Sequence, residues 1–247
     1  MSTRVKQARM YHPFPTLRTR KHILTFLFII LVPLVLLIVF SYVAEISFVN
    51  LIENLGISLW RMFIATIISV ILAWVSAVVF YRGRAGDVAL PIFDILQSVP
   101  SAAALPVAVM YFGATSKVVI FFLVIAIIWP VFFSIISSLK LIRKDWYEAV
   151  SMTRIKGFDY LRYFLIPVTI PGLVTGAIIG MGEGWESLVA TEIIAGTESG
   201  LGHFFSVFSN NPSVTLFGIL CVLAIIFALN KAMWLPLLEW SHRSMEE

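Results

Sequence analysis

An all-α, polytopic membrane protein with six transmembrane helices is the fold class this sequence predicts. Three observations predict it: a composition poor in charge, uncharged runs of bilayer-spanning length, and basic residues gathered into a few blocks. Of 247 residues, 60% are hydrophobic and 13% charged, whereas soluble domains run nearer half apolar and a quarter charged. The apolar residues recur in stretches long enough to cross a hydrocarbon layer of about 30 Å. Lipid therefore solvates much of what a soluble protein would bury in one core.

Residues 23–44 and 118–139 carry no charge and read as transmembrane helices, because only a helix satisfies every backbone group within its own segment in lipid. The first run is too long for a signal-peptide core and has no small-residue cleavage site after it, so it reads as a retained span. Residues 62–81 form another span, with Trp60 and Arg61 at its edge as interfacial anchors. Residues 88–112 are apolar apart from Asp94, Gln97 and Ser98, and Pro91, Pro100 and Pro106 predict a kinked helix. A fifth span runs from Pro167 to about Ala190 and contains Glu183 and Glu186. The sixth runs from about Val214 to Leu235, with Lys231 placed to snorkel.

Net charge is +4, but the placement of the charges says more than the total. All but Arg61 and Lys117 of the 18 Lys and Arg lie in the N-terminal arm, around Arg82 and Arg84, between Lys140 and Arg162, or near the C-terminus. With an even number of spans, the positive-inside rule puts both termini in the cytoplasm of a cell-membrane protein. The expected organisation is a basic arm over 1–22, a six-helix domain over 23–238 with a cytoplasmic loop near 140–166, and a tail over 239–247. In that loop, Asp145-Trp146-Tyr147-Glu148 has capping-box spacing and predicts the start of a short helix. Gly157 is expected to end it, and Asp159 to cap a second helix leading to Pro167.

Glu148-Ala149-Val150 followed nineteen residues later by Pro167 resembles the cytoplasmic signature of permease subunits of binding-protein-dependent ABC importers. The family's glycine position falls on Arg154, and the nearest glycine is Gly157. Asp94-Ile95-Leu96-Gln97-Ser98-Val99-Pro100 with Tyr111-Phe112-Gly113, and Gly184-Trp185 with Ala190-Thr191-Glu192 and Gly200-Leu201-Gly202, are similar to the nitrate, sulfonate and taurine branch. The resemblance covers roughly residues 55–235. It implies a type I importer permease fold and a coupling role for Glu148, Ala149, Arg154, Gly157 and Pro167. Its implied partners are cytoplasmic ABC ATPases that bind ATP and Mg, a second permease subunit (an identical copy or a homologue) and an external substrate-binding protein. The implied cargo is a small anion or zwitterion such as nitrate, a sulfonate or taurine.

Candidate pathway residues are Asp94, Gln97, Ser98, Glu183, Trp185, Glu186 and Glu192, with Asp94 read equally as lying at the cytoplasmic interface, where it costs little. A carboxylate at mid-span is costly and normally faces a cavity or a partner. Glu183 and Glu186 share one helix face; the two readings are a polar patch on a translocation path, or a span that ends near Gly182 and leaves both in outer-side water. Glu192 is expected either on the path or bracing the outer loop. Gly172, Gly176 and Gly180 predict a close-packing face, within the chain or at a dimer seam. The alternative to an ATP-driven importer is a proton-coupled secondary transporter that uses Glu183 and Glu186.

No glycine-rich phosphate loop ends in Lys-Ser or Lys-Thr, so ATP hydrolysis is assigned to another subunit and no cofactor to this chain. His12, His22, His203 and His242 have no metal spacing, and Cys221 is the sole cysteine, so neither an internal disulfide, a metal site nor an enzymatic centre is expected. Membrane lipid is an expected partner and nucleic acid is not.

Overall fold

The computed structural model describes residues 19–153, 155–234 and 236–237, and these form a helical bundle without strands. The expected N-terminal arm and C-terminal tail lie almost wholly outside the described residues, as does Arg154. Ten helices follow in order: α1 (Thr19–Val43), α2 (Phe48–Phe80), α3 (Gly83–Gln97), α4 (Ser101–Phe112), α5 (Ser116–Lys140), α6 (Lys144–Met152), α7 (Phe158–Tyr160), α8 (Ile166–Ala195), α9 (Leu201–Val207) and α10 (Pro212–Leu229). Single π-helical segments, Leu161–Leu165 and Asn230–Trp234, join α7 to α8 and extend α10. Among the described residues, α2, α5, the continuous stretch from α7 through α8, and α10 with its extension are long and apolar enough to cross a membrane.

Three of these helices make the frame. Ser69 of α2 donates to the Val124 carbonyl of α5, and Trp74 of α2 donates to Thr169 of α8. Arg61, thirteen residues before Trp74, meets Glu192, so α8 runs antiparallel to α2, while α5 runs parallel to it. Between them lie fully buried Ala65, Ala73, Leu123, Ile127, Ile135 and Leu188. The outer faces of α1, α2 and α10 stay apolar and exposed, with Ile38, Ile71 and Leu223 among the residues left for lipid.

The glycines of α8 explain how α5 and α8 come so close. A Cβ on Gly176 would fall 2.6 Å from the Val131 Cα, and one on Gly180 would fall 3.0 Å from the Ile127 carbonyl. Gly172 faces Ser134 and Ser138, and Gly184 faces Ile127 and Met62. The stripe is an intrachain seam in which absent side chains let two backbones touch.

Several expectations change. The stretch 88–112 is two helices and not one kinked span. Pro100 has no amide hydrogen and disfavours helical backbone at Val99, so the chain turns at Ser98–Pro100, whereas Pro91 and Pro106 sit inside α3 and α4 without ending them. The capping box is also absent. Helix α6 begins at Lys144, two residues earlier than an Asp145 cap would place it, behind Arg143, which makes no side-chain cap. Asp145 instead pairs with Arg143 at 2.6 Å, and Glu148 approaches Lys144 at 3.7 Å. The helix stops at Met152, before Gly157, whose φ of +60° makes the turn into α7, where Asp159 makes no cap. Charged partners two and four residues away outcompete the amides for these carboxylates.

Replacing Gly176 with Leu should therefore force α5 and α8 apart. The expected result is a loss of at least 1–3 kcal/mol in detergent melts, the usual cost of overpacking. Gly182→Ala, where a Cβ meets nothing within 4 Å, should leave the melt unchanged or slightly raised.

Candidate translocation site

A cleft of about 890 Å³ opens beside the α5–α8 seam. The broken α3–α4 joint contributes Gln97 and Ser98, α5 contributes Trp129 and Phe133, and α8 contributes Glu183 and Glu186. The cleft stripe of α8, at 179, 183, 186, 187 and 190, lies next to the glycine stripe, so one helix packs with one face and lines the cleft with the adjacent one. In α5, Pro130 lacks the amide hydrogen that would otherwise bond the Ala126 carbonyl, and both residues line the cleft. At the joint, Gln97 Nε2 donates to Asp94 Oδ1 at 2.6 Å, and Ser98 Oγ donates to the Asp94 carbonyl.

At one end of the frame a buried ion pair ties four segments together. Arg61 is 4% exposed and Glu192 is fully buried, with Arg61 Nη1 donating to Glu192 Oε1 at 2.6 Å. The other guanidinium nitrogens donate to Ser116 at the start of α5, and Nη2 also reaches Ser199. Glu192 further accepts from Ser58 Oγ and from the Gly202 amide. Asn54 accepts from the Gly200 amide, and Ser58 from that of Leu201. Gly200 has φ of +108°, and a Cβ there would strike the Glu192 carboxylate, so glycine is required.

At the opposite end, the Arg82 guanidinium stacks 3.8 Å over the Tyr147 ring, whose edge meets Phe164 at 5.5 Å. This holds α6 against the end of α2 and the approach to α8. Partial burial pushes the Tyr147 phenol above its ordinary value, against the lowering influence of Arg82. Leu141, Trp146, Met152 and Phe158 remain exposed around α6.

The profile of the family described as binding-protein-dependent transport system inner membrane component matches residues 65–233. The chain belongs to that family. The nitrate import permease protein NrtB of Leptolyngbya laminosa is 32% identical over 114 residues, 46% of this chain and 40% of that protein. The taurine transport system permease protein TauC of Escherichia coli (strain K12) is 32% identical over 158 residues, 59% and 56% respectively. The bicarbonate transport system permease protein CmpB of Synechococcus elongatus is 26% identical over 114 residues, 46% and 41%. The chain spans about half the length of the curated relatives it matches. It shares its fold with a chain of the MetNI methionine ABC transporter in inward facing conformations, with a TM-score of 0.63 at 18% identity over 78% of this chain and 96% of that one. The fold is that of a type I ABC importer permease.

Within this permease the anticipated pathway residues divide. Gln97, Ser98, Glu183 and Glu186 line the one cleft, with Asp94 held at its rim through Gln97. Along α8, Glu183 lies about 14 Å from Glu192 toward the middle of the helix. Trp185 and Glu192 point away from the cleft into packed interior, and Glu192 holds the 196–202 loop. Arg61, read from sequence as an interfacial anchor, is instead the buried partner of Glu192, while neighbouring Trp60 remains exposed and stacks on Phe63. Sequence reasoning missed Asn54, Ser58, Ser116 and Ser199. The available signal was a lone arginine one turn after Ser58 in an apolar helix, matched by a lone glutamate far along the chain. Of the anticipated coupling residues, Glu148 and Ala149 lie on exposed α6, Gly157 lies in the turn after it, and Pro167 sits in the first turn of α8.

Removing one member of the buried pair should cost far more than removing both. Glu192→Gln is expected to lower stability by about 3–5 kcal/mol because Arg61 is left charged and unpaired. The Arg61→Leu, Glu192→Leu double variant should regain a large part of that loss in the same detergent melts.

Proposed function

We propose that this permease forms the solute path of an ABC-type importer and transmits to that path the movement of a separate ATPase, received at residues 140–166. The cleft bounded by the α3–α4 joint, α5 and α8, in a chain of this family, is the observation that carries the reading. Two permease subunits, identical or homologous, bring such clefts face to face, an external binding protein delivers the cargo, and the partner ATPases bind ATP and Mg. Glu148 and its neighbours on α6 present an exposed charged and apolar face for docking, with Arg82 and Tyr147 as its support. The basic residues at this end favour a cytoplasmic location for it, with both termini on the same side.

The names of the relatives point to nitrate, taurine or bicarbonate as cargo, that is, a small anion or zwitterion. The chain itself is non-catalytic in this reading. Family membership favours ATP-driven import over a proton-coupled carrier built on Glu183 and Glu186.

The test is affinity purification of the chain from its native membrane. An ABC ATPase should co-purify, and Glu148→Lys should abolish the association or reduce transport-linked ATP hydrolysis at least tenfold. Retained assembly and transport in that variant would count against the coupling role. Uptake by the chain alone, driven by a proton gradient, would remove the importer reading.

A further inference from the structure

Hydrogen-bonding capacity in the cleft is lopsided. Its charged lining residues are the two carboxylates Glu183 and Glu186; no Lys, Arg or His is among the described lining residues. Several donors are already committed: Ser98 Oγ to the Asp94 carbonyl at 3.0 Å, Ser137 Oγ to the Phe133 carbonyl at 2.8 Å, and a Gln97 amide hydrogen to Asp94. Acceptors are left over. They are the two carboxylates, the Gln97 side-chain oxygen and the Ala126 carbonyl, which Pro130 deprives of its helical partner. The remaining hydroxyls, Ser134, Ser187 and Thr191, accept as readily as they donate. Thr191 is only 3% exposed yet lines the cleft. Trp129, Phe133 and Ile179 give the same space an apolar and aromatic wall, and beside the hydroxyls the neutral donors left in it are the Trp129 indole N–H and the second Gln97 amide hydrogen.

From this we infer that the cargo is a small organic solute carrying a protonated nitrogen, an ammonium or amidinium group, and not a bare inorganic anion. This deepens the proposed function and rests on its cleft being the solute path. Leftover acceptors and two carboxylates match N–H donors bearing positive charge, and aromatic faces add cation–π attraction for the same group. An inorganic anion meets the reverse: repulsion strengthened where lipid and protein lower the dielectric, and no cationic donor among the described lining residues to offset it. The nearby cation, Arg61, is engaged by Glu192. Among the solutes named in the relatives, nitrate and bicarbonate have no such group, whereas taurine bears an ammonium beside its sulfonate.

The experiment uses the complete transporter in membrane vesicles, with Cys221→Ser and a reporter at Ser187→Cys or Ala190→Cys, both positions in the cleft. Modification rates are measured for a trimethylammonium-ethyl and a sulfonato-ethyl methanethiosulfonate, each divided by its rate with free 2-mercaptoethanol. The cationic reagent should be favoured at least tenfold, and E183Q with E186Q should bring the ratio to within about twofold of unity. A ratio at or below unity, a ratio unchanged by the glutamine pair, or no reaction at either position would overturn the inference. ATP-driven uptake of labelled nitrate or bicarbonate by the same transporter would overturn it too, while leaving the importer reading intact. Absence of a co-purifying ATPase would remove the importer reading and leave the measured charge preference standing.

Discussion

The buried pair of Arg61 and Glu192 is the constraint on which the arrangement of this protein depends. Two charges placed in a helical bundle are tolerated only when each meets the other and their remaining donors and acceptors are filled. Here those needs draw in Ser58 from α2, Ser116 from the start of α5, Ser199 and the Gly202 amide, while Asn54 holds the same loop through the Gly200 amide. The pair thereby fixes the relative height of α2, α5 and α8, and with it the register of everything farther along these helices. From Arg61 to Arg82 the chain runs twenty residues without a charge, about 30 Å of helix, so the two ends lie one hydrocarbon thickness apart.

With that register fixed, α8 uses two neighbouring stripes for different purposes. Its glycines draw α5 into backbone contact, which supplies rigidity without bulky side chains. The adjacent stripe carries Glu183, Glu186 and Ser187 into the cleft, where a long helix held at one end by Glu192 and at the seam by glycine presents them in fixed positions. The facing element is built differently, since the α3–α4 joint is a turn between two helices, where the Ser98 and Val99 amides bond back to the Ile95 and Leu96 carbonyls and Pro100 has no amide hydrogen. Irregular backbone at membrane depth is stable where it borders a cavity.

The fold was legible where physics acts locally. Uncharged runs over 23–44, 62–81 and 118–139 lie within α1, α2 and α5 apart from residues at their ends, and the four-residue glycine spacing announced a packing face. Legibility failed where a charge finds its partner across the bundle. Glu192 and Arg61 are 131 positions apart, so periodicity could place each on a helix but could not join them. The capping box failed for a local reason: Arg143 and Lys144 stand beside the carboxylates that were expected to bond amides. Of the pathway candidates, the polar ones in apolar surroundings that line the cleft, Gln97, Ser98, Glu183 and Glu186, stood out in the sequence because lipid penalises them. Trp185 was not distinguishable from a core aromatic, and it sits in the core.

The proposed coupling at the α6 end, the proposed outer position of the Arg61–Glu192 end and the proposed path all require the two ends of the frame to face opposite sides of the membrane. The most direct measurement places single cysteines at Met152 and at Glu198 in a Cys221→Ser background and applies an impermeant thiol reagent to intact cells. The account predicts labelling of the Glu198 position in intact cells, and of the Met152 position only after permeabilisation. Labelling of the Met152 position from outside would contradict it.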